Sequence, residues 1–110
     1  MYDFEVLKEH ANNIRKNIVK TVTEAKSGHP GGSLSSVEYA TAIYFTQMDV
    51  NKDNLESTNR DRFVLSKGHA SPLLYSVLAE RGFIEEEELK TFRKINSRLQ
   101  GHPSMRKLPG

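Results

Sequence analysis

The 110-residue chain has no cysteine, so disulfides, zinc thiolates and thiol nucleophiles are excluded from its chemistry. No run of about 18 apolar residues exists to cross a membrane. A dominant charge is missing too. Sixteen lysines and arginines oppose 14 acids, and the signs alternate over most of the length, leaving a net charge of +2 and no electrostatic footprint for nucleic acid. The mildly basic stretch of Arg93, Lys94, Arg98, Arg106 and Lys107 reads as a solvated face or a small anion site rather than a polyanion groove. The start, Met1-Tyr2-Asp3-Phe4-Glu5, is acidic and lacks an apolar core, so no secretory signal is read there and a cytoplasmic protein is expected. With 36% hydrophobic and 27% charged residues, the sequence reads as globular rather than disordered, and its length allows one domain at most.

Histidine placement is the most informative feature present. Three of four histidines follow glycine, in Gly28-His29-Pro30, Gly68-His69-Ala70 and Gly101-His102-Pro103. At average glycine usage of about 7%, that arises by chance roughly once in a thousand chains. Glycine permits backbone conformations and close approaches that a Cβ blocks. Imidazole is the side chain best suited to moving protons near neutral pH. Permissive backbone followed by a proton carrier, three times over, reads as a loop-built active site; three surface turns that happen to hold histidine are the bland alternative. Three histidines could also ligate a metal, but no carboxylate stands at a tight ligand spacing beside them. His10, inside a helical pattern, carries no such reading.

The apolar spacing of Phe4, Leu7, Ala11, Ile14, Ile18, Val22 and Ala25 predicts a helix over residues 3–26 that stops at Gly28. A loop over residues 29–32 follows. Ser35 and Glu38 then form a predicted capping box, with Leu34 stapled onto Tyr39, for a helix carrying Val37, Ala40, Ile43, Tyr44 and Met48. Asp49, Asn51 and Asp53 imitate the opening of a calcium loop, but Asn54 and Arg60 occupy its sixth and twelfth positions, so an asparagine-rich connection is expected instead. Phe63-Val64-Leu65 reads as a buried parallel strand. Ser71 as cap, Pro72 as first helical residue and Leu73, Leu74, Val77 and Leu78 predict another helix, closed by Arg81-Gly82. A last helix is expected from Glu85 onward, with Leu89, Phe92 and Ile95 buried. One strand cannot form a sheet, and His102 eight residues from the last residue is poorly held, so the chain is expected to open a larger α/β domain that continues past Gly110.

Together, Ser27-Gly28-His29-Pro30-Gly31-Gly32-Ser33, Asp61-Arg62-Phe63-Val64-Leu65-Ser66-Lys67-Gly68-His69-Ala70, Gln100-Gly101-His102-Pro103 and Leu108-Pro109-Gly110 resemble, in order and spacing, the N-terminal part of transketolase. The resemblance runs from about Leu7 to Gly110. The Gly-Gly-Ser-Leu-Ser form of the first loop looks most like the N-terminal subunit of transketolases split between two polypeptides. The resemblance implies the mostly helical N-terminal portion of a thiamine diphosphate-binding parallel-sheet fold over residues 1–110, incomplete in this chain. It implies transfer of a two-carbon ketol group between sugar phosphates, using thiamine diphosphate and a divalent metal, magnesium or calcium.

By motif position, the resemblance gives His29 contact with the sugar donor and proton transfer, His69 contact with the cofactor near its diphosphate and thiazolium, and His102 a hydrogen bond to the donor's terminal hydroxyl. The family's Gly-Asp-Gly metal segment has no counterpart here, which puts the metal ligands outside this chain. The pyrimidine-binding domain, with the glutamate that activates the cofactor, is implied on a later domain or a C-terminal subunit, in a homodimer or heterotetramer. The chain alone is therefore expected to be inactive. Alternatives are a segment of 1-deoxyxylulose-5-phosphate synthase, disfavoured by the context Gly68-His69-Ala70-Ser71-Pro72, or a non-catalytic helical interaction module.

Overall fold

The long first helix, α1 (Phe4–Ala25), forms where the three-and-four spacing of apolar residues predicts it. In the computed structural model, which describes residues 3–26, 28, 30–104 and 106–110, the Asp3 carboxylate caps α1 by accepting from the backbone N–H groups of Glu5 at 2.9 Å and Val6 at 3.4 Å. Ala11, Ile14 and Ile18 are buried along one face, whereas Phe4, at the start of the same stripe, is 74% exposed. Lys26 ends the helix in the left-handed region at φ 52°, and Gly28 continues the turn at φ 129°. The helix thus ends just before the predicted glycine.

The next segment departs from expectation. Instead of a loop, residues from Pro30 form a short helix, α2 (Pro30–Leu34), with proline in the first-turn position that its fixed φ suits. That displaces the predicted capping box. Ser35 finishes α2, its hydroxyl donating to the Gly32 carbonyl at 3.1 Å, and Ser36 precedes α3 (Val37–Ala42) without a side-chain cap. Tyr39, the other half of the expected staple, is 75% exposed. A π-helical turn (Ile43–Gln47) prolongs α3 before Met48 turns extended. Val37, Ala40 and Tyr44 are buried, as the pattern requires, while Ile43 and Met48 are half-buried.

Residues 49–61 form the asparagine-rich connection. Asn51 Oδ1 accepts from the Asp53 N–H at 2.8 Å, Asn54 Oδ1 accepts from the Asn51 N–H at 2.7 Å, and Asp61 Oδ2 accepts from the Asp49 N–H at 2.7 Å. The acids and amides serve their own backbone.

The predicted strand is not realised. Residues 63–65 belong to no strand among the described residues. Phe63 and Leu65 pack against the core, with the Phe63 ring 5.4 Å from that of Tyr44, but Val64 between them is 84% exposed. The segment shows the alternation of a strand without the ladder, because pairing needs a neighbour and none of the described residues provides one.

Helix α4 (Ser71–Glu80) is the centre of the molecule. Leu73, Tyr75, Val77 and Leu78 are each at most 1% exposed, and Ser71 and Ser76 are buried too, so the helix is enclosed on nearly every side. Burial of each leucine-sized side chain contributes about 1.5–3 kcal/mol. Pro72 lies in the first turn, but Ser71 is not the cap; Ala70 holds that position. Gly82, at φ 79°, closes the helix, the Phe83 N–H donating to the Leu78 carbonyl at 2.9 Å. The last expected helix shrinks to a 3₁₀ segment (Glu86–Thr91). Leu89 and Phe92 are buried as predicted, but Arg93 adopts φ 62°, the chain turns, and Ile95 emerges 92% exposed. Arg98 folds back onto this segment and donates from Nε and Nη2 to the two Glu88 carboxylate oxygens at 2.6 and 2.9 Å, which holds Glu88 below the usual carboxylate range. No described helix is long and apolar enough to cross a membrane.

Candidate functional site

Gly32 and Ser33, which follow the first glycine-histidine pair, are gathered with the second and third pairs around the N-terminal end of α4, and side-chain hydrogen bonds explain how. From the first segment, the fully buried Ser33 hydroxyl accepts the Leu73 N–H at 3.3 Å. Ser33 therefore satisfies one of the orphan donors in the first turn of α4, the service the sequence pattern assigns to Ser71. Ser71 is released for another task. Its hydroxyl donates to the Gly101 carbonyl at 2.8 Å, and the Tyr75 hydroxyl, one turn on, donates to the Gln100 carbonyl. Burial pushes the Tyr75 phenol up to about 12, so the donor stays protonated at neutral pH. Leu99 is fully buried, and its carbonyl accepts the Arg93 N–H at 2.8 Å. Three successive carbonyls before His102 are thus anchored.

The second segment is continuous with α4 through a 3₁₀ turn (Gly68–Ala70), where the Ala70 N–H donates to the Lys67 carbonyl at 2.8 Å. A Cβ on Gly68 would lie 2.6 Å from His102 Cδ2, so the absence of a side chain there is what admits the His102 ring. A Cβ on Gly32 would lie 3.5 Å from His69 Nε2, an ordinary contact distance, which sets the first segment directly against the second imidazole. The side of Gly68 where a Cβ would stand faces His102, and that of Gly32 faces His69, so the middle segment lies beside both others.

His69 and His102 are both exposed residues on the wall of one cleft of about 590 Å3. Arg60, Arg62, Phe63, Leu65 and Ser104 also line it, and among the described residues no aspartate or glutamate does. Both arginines are fixed by their own loop: Arg60 Nε donates to the Leu55 carbonyl at 2.9 Å and Arg62 Nη1 to the Thr58 carbonyl at 3.2 Å. Two guanidiniums and two imidazoles give the cleft the donors of an anion-receiving surface. A groove of similar size, about 560 Å3, lies between α1 and the 3₁₀ segment; it carries Lys20, Glu24, Glu87 and Lys90 but no histidine.

Of the predicted site residues, the structure brings His69 and His102 together; His29 lies outside the described residues. Among the described residues no three histidine, aspartate or glutamate side chains cluster to hold a metal ion. His10 has a separate place. Its Nδ1 is 2.7 Å from Glu80 Oε2 and its ring stacks on Phe45 at 4.1 Å, which ties α1 to α4 away from the cleft. The sequence pattern gives no role to Lys67, Ser33 or Tyr75, because each acts on a residue distant in sequence.

Comparison with known proteins adds a family to this geometry. Residues 6–110 match the family model described as "Transketolase, thiamine diphosphate binding domain". The chain is 44% identical over 99 residues to human transketolase, covering 90% of this chain and 16% of that enzyme. It is 43% identical over 106 residues to an apulose-4-phosphate transketolase subunit of Phocaeicola vulgatus, covering 96% of this chain and 37% of that subunit. The crystal structure of Pichia stipitis transketolase in complex with sedoheptulose 7-phosphate superposes with a TM-score of 0.88 at 42% identity, over 96% of this chain and 16% of that one.

Proposed function

The chain belongs to the transketolase family, within its thiamine diphosphate-binding domain, and from that premise we propose that it supplies one wall of a ketol-transfer site. The reaction moves a two-carbon ketol group from a ketose phosphate to an aldose phosphate. The observation that carries this reading is the gathering of Gly32, His69 and His102 at the N-terminal end of α4, beside a cleft lined by Arg60 and Arg62 and, among the described residues, by no aspartate or glutamate. The donor set fits an anionic cofactor. His69 is the residue that would hold it, near its diphosphate and thiazolium. When bound, thiamine diphosphate supplies the carbon nucleophile and the electron sink. This chain's side chains then orient the sugar and handle its protons. His29 contacts the donor beside the reacting carbons and relays protons on its hydroxyls, and His102 hydrogen-bonds its terminal hydroxyl.

The ligands of a divalent metal, magnesium or calcium, come from outside this chain in this reading, because the family's Gly-Asp-Gly metal segment has no counterpart in the sequence. The remaining parts come from a C-terminal transketolase subunit or domain, in a homodimer or heterotetramer. A relative that is itself named as one subunit of a transketolase, aligned over 96% of this chain and 37% of its own length, supports the split arrangement. Sugar phosphates are the substrates, as the name of the sedoheptulose 7-phosphate complex records for its own enzyme. Kinetics of the complete enzyme carrying His29→Ala test the reading. The expected loss of kcat/KM for ketol transfer is about 100-fold or more, the scale of a positioned acid–base group. A variant that keeps near-native kcat/KM refutes it.

A further inference from the structure

We propose that Lys67 is a positioning residue for His69, acting by latching the end of α2 with the help of Ser35. The Lys67 ammonium donates to the Gly32 carbonyl at 2.7 Å and to the Ser35 hydroxyl at 3.0 Å, while that hydroxyl donates to the same Gly32 carbonyl at 3.1 Å. Three groups close a triangle in which the hydroxyl accepts from the cation and passes the polarisation to the carbonyl. The Gly32 carbonyl belongs to the last turn of α2, where carbonyls lack intrahelical partners and a cation is favoured.

The geometry around Gly32 gives this latch its purpose. The carbonyl of Gly32 is held by Lys67, while its Cα faces His69, with 3.5 Å from an ideal Cβ position to Nε2. Lys67 and His69, two residues apart, grip one peptide from two directions. Ser33, the next residue, is fixed to α4 through the Leu73 N–H. A shift of Gly32 would therefore change what stands against the His69 ring without unseating α2. Lys67 and Ser35 carry no role in the reaction as proposed above; the benefit of a held His69 rests on that reading, whereas the latch itself is testable without any turnover.

The test is nuclear magnetic resonance on the full 110-residue chain, following the cross-peak between the Gly32 α-protons and the His69 ring together with protection of the Leu73 amide. In Lys67→Met the cross-peak is expected to disappear while Leu73 stays protected. In Lys67→Arg, which keeps two donors on one cation, the cross-peak is expected to persist. Ser35→Ala, which opens the triangle but leaves the carbonyl bond, should weaken it. A cross-peak of native intensity in Lys67→Met overturns the proposal. So does its loss in Lys67→Arg, and so does loss of Leu73 protection in Lys67→Met, which would make the lysine a support of the fold rather than of the ring. Failure of any of these leaves ketol transfer standing, and inactivity of the complete enzyme leaves the latch standing.

Discussion

At Gly68 the space for a side chain is already taken: a Cβ would stand 2.6 Å from His102 Cδ2. Because His102 is exposed, its ring has room to swing outward, so Gly68→Ala should cost little stability, under about 1 kcal/mol. Its effect should fall on placement. Loss of the contact between residue 68 and the His102 ring is expected in a crystal structure of the variant. Donor kcat/KM of the complete enzyme should fall about 10- to 100-fold, as for a displaced reacting group. Gly32→Ala is the control, since its methyl would meet His69 at 3.5 Å, within normal contact. A structure of the Gly68→Ala variant with His102 unmoved contradicts the steric reading. The sequence singles out three histidines by their glycine partners, and the structure sets two of them, His69 and His102, on one cleft. Their mutual arrangement was not legible in the sequence, because it depends on Ser33 reaching Leu73 and Ser71 reaching Gly101, contacts across 40 and 30 residues.

Among the elements, α1 and α4 were legible because their sequence patterns are long and each bears a clear stop at Gly28 or Gly82. The short elements were not. Whether Ser35 starts one helix or finishes another depends on residues 30–34 being helical already, a local choice that glycine at 31 and 32 does not announce. Ile95 fits a helical stripe after Leu89 and Phe92, but the Glu88 pair with Arg98 and the left-handed Arg93 turn the chain first. The segment at residues 63–65 carries a strand's composition without a strand's partner. Its Phe63, Val64 and Leu65 amides are accordingly expected to exchange rapidly in the 110-residue chain, while the buried turns of α4 exchange slowly. Strong protection at those three amides would mean that the extended segment has found a partner of its own.

At the scale of the whole molecule, a well-packed core around α4 supports a cleft whose imidazoles sit on exposed loops. Such a division, rigid helix behind and reactive side chains in front, suits a site that is completed by other polypeptide. The chain covers 16% of the length of human transketolase, and the function proposed above assigns the cofactor's remaining contacts, the metal and the sugar phosphates' other partners beyond it. In the complete enzyme the two described histidines should then separate cleanly by function, one felt by the cofactor and the other by the donor sugar.

The most direct measurement is calorimetric titration of thiamine diphosphate, with magnesium present, into the complete enzyme and its His69→Ala and His102→Ala forms, alongside the 110-residue chain alone. The expected result is cofactor affinity weakened about tenfold or more in His69→Ala, equivalent to about 1.4 kcal/mol. Affinity should be unchanged in His102→Ala, and the isolated chain should show no micromolar binding. Native affinity in His69→Ala, or tight binding by the chain alone, would contradict the placement of the cofactor against this cleft.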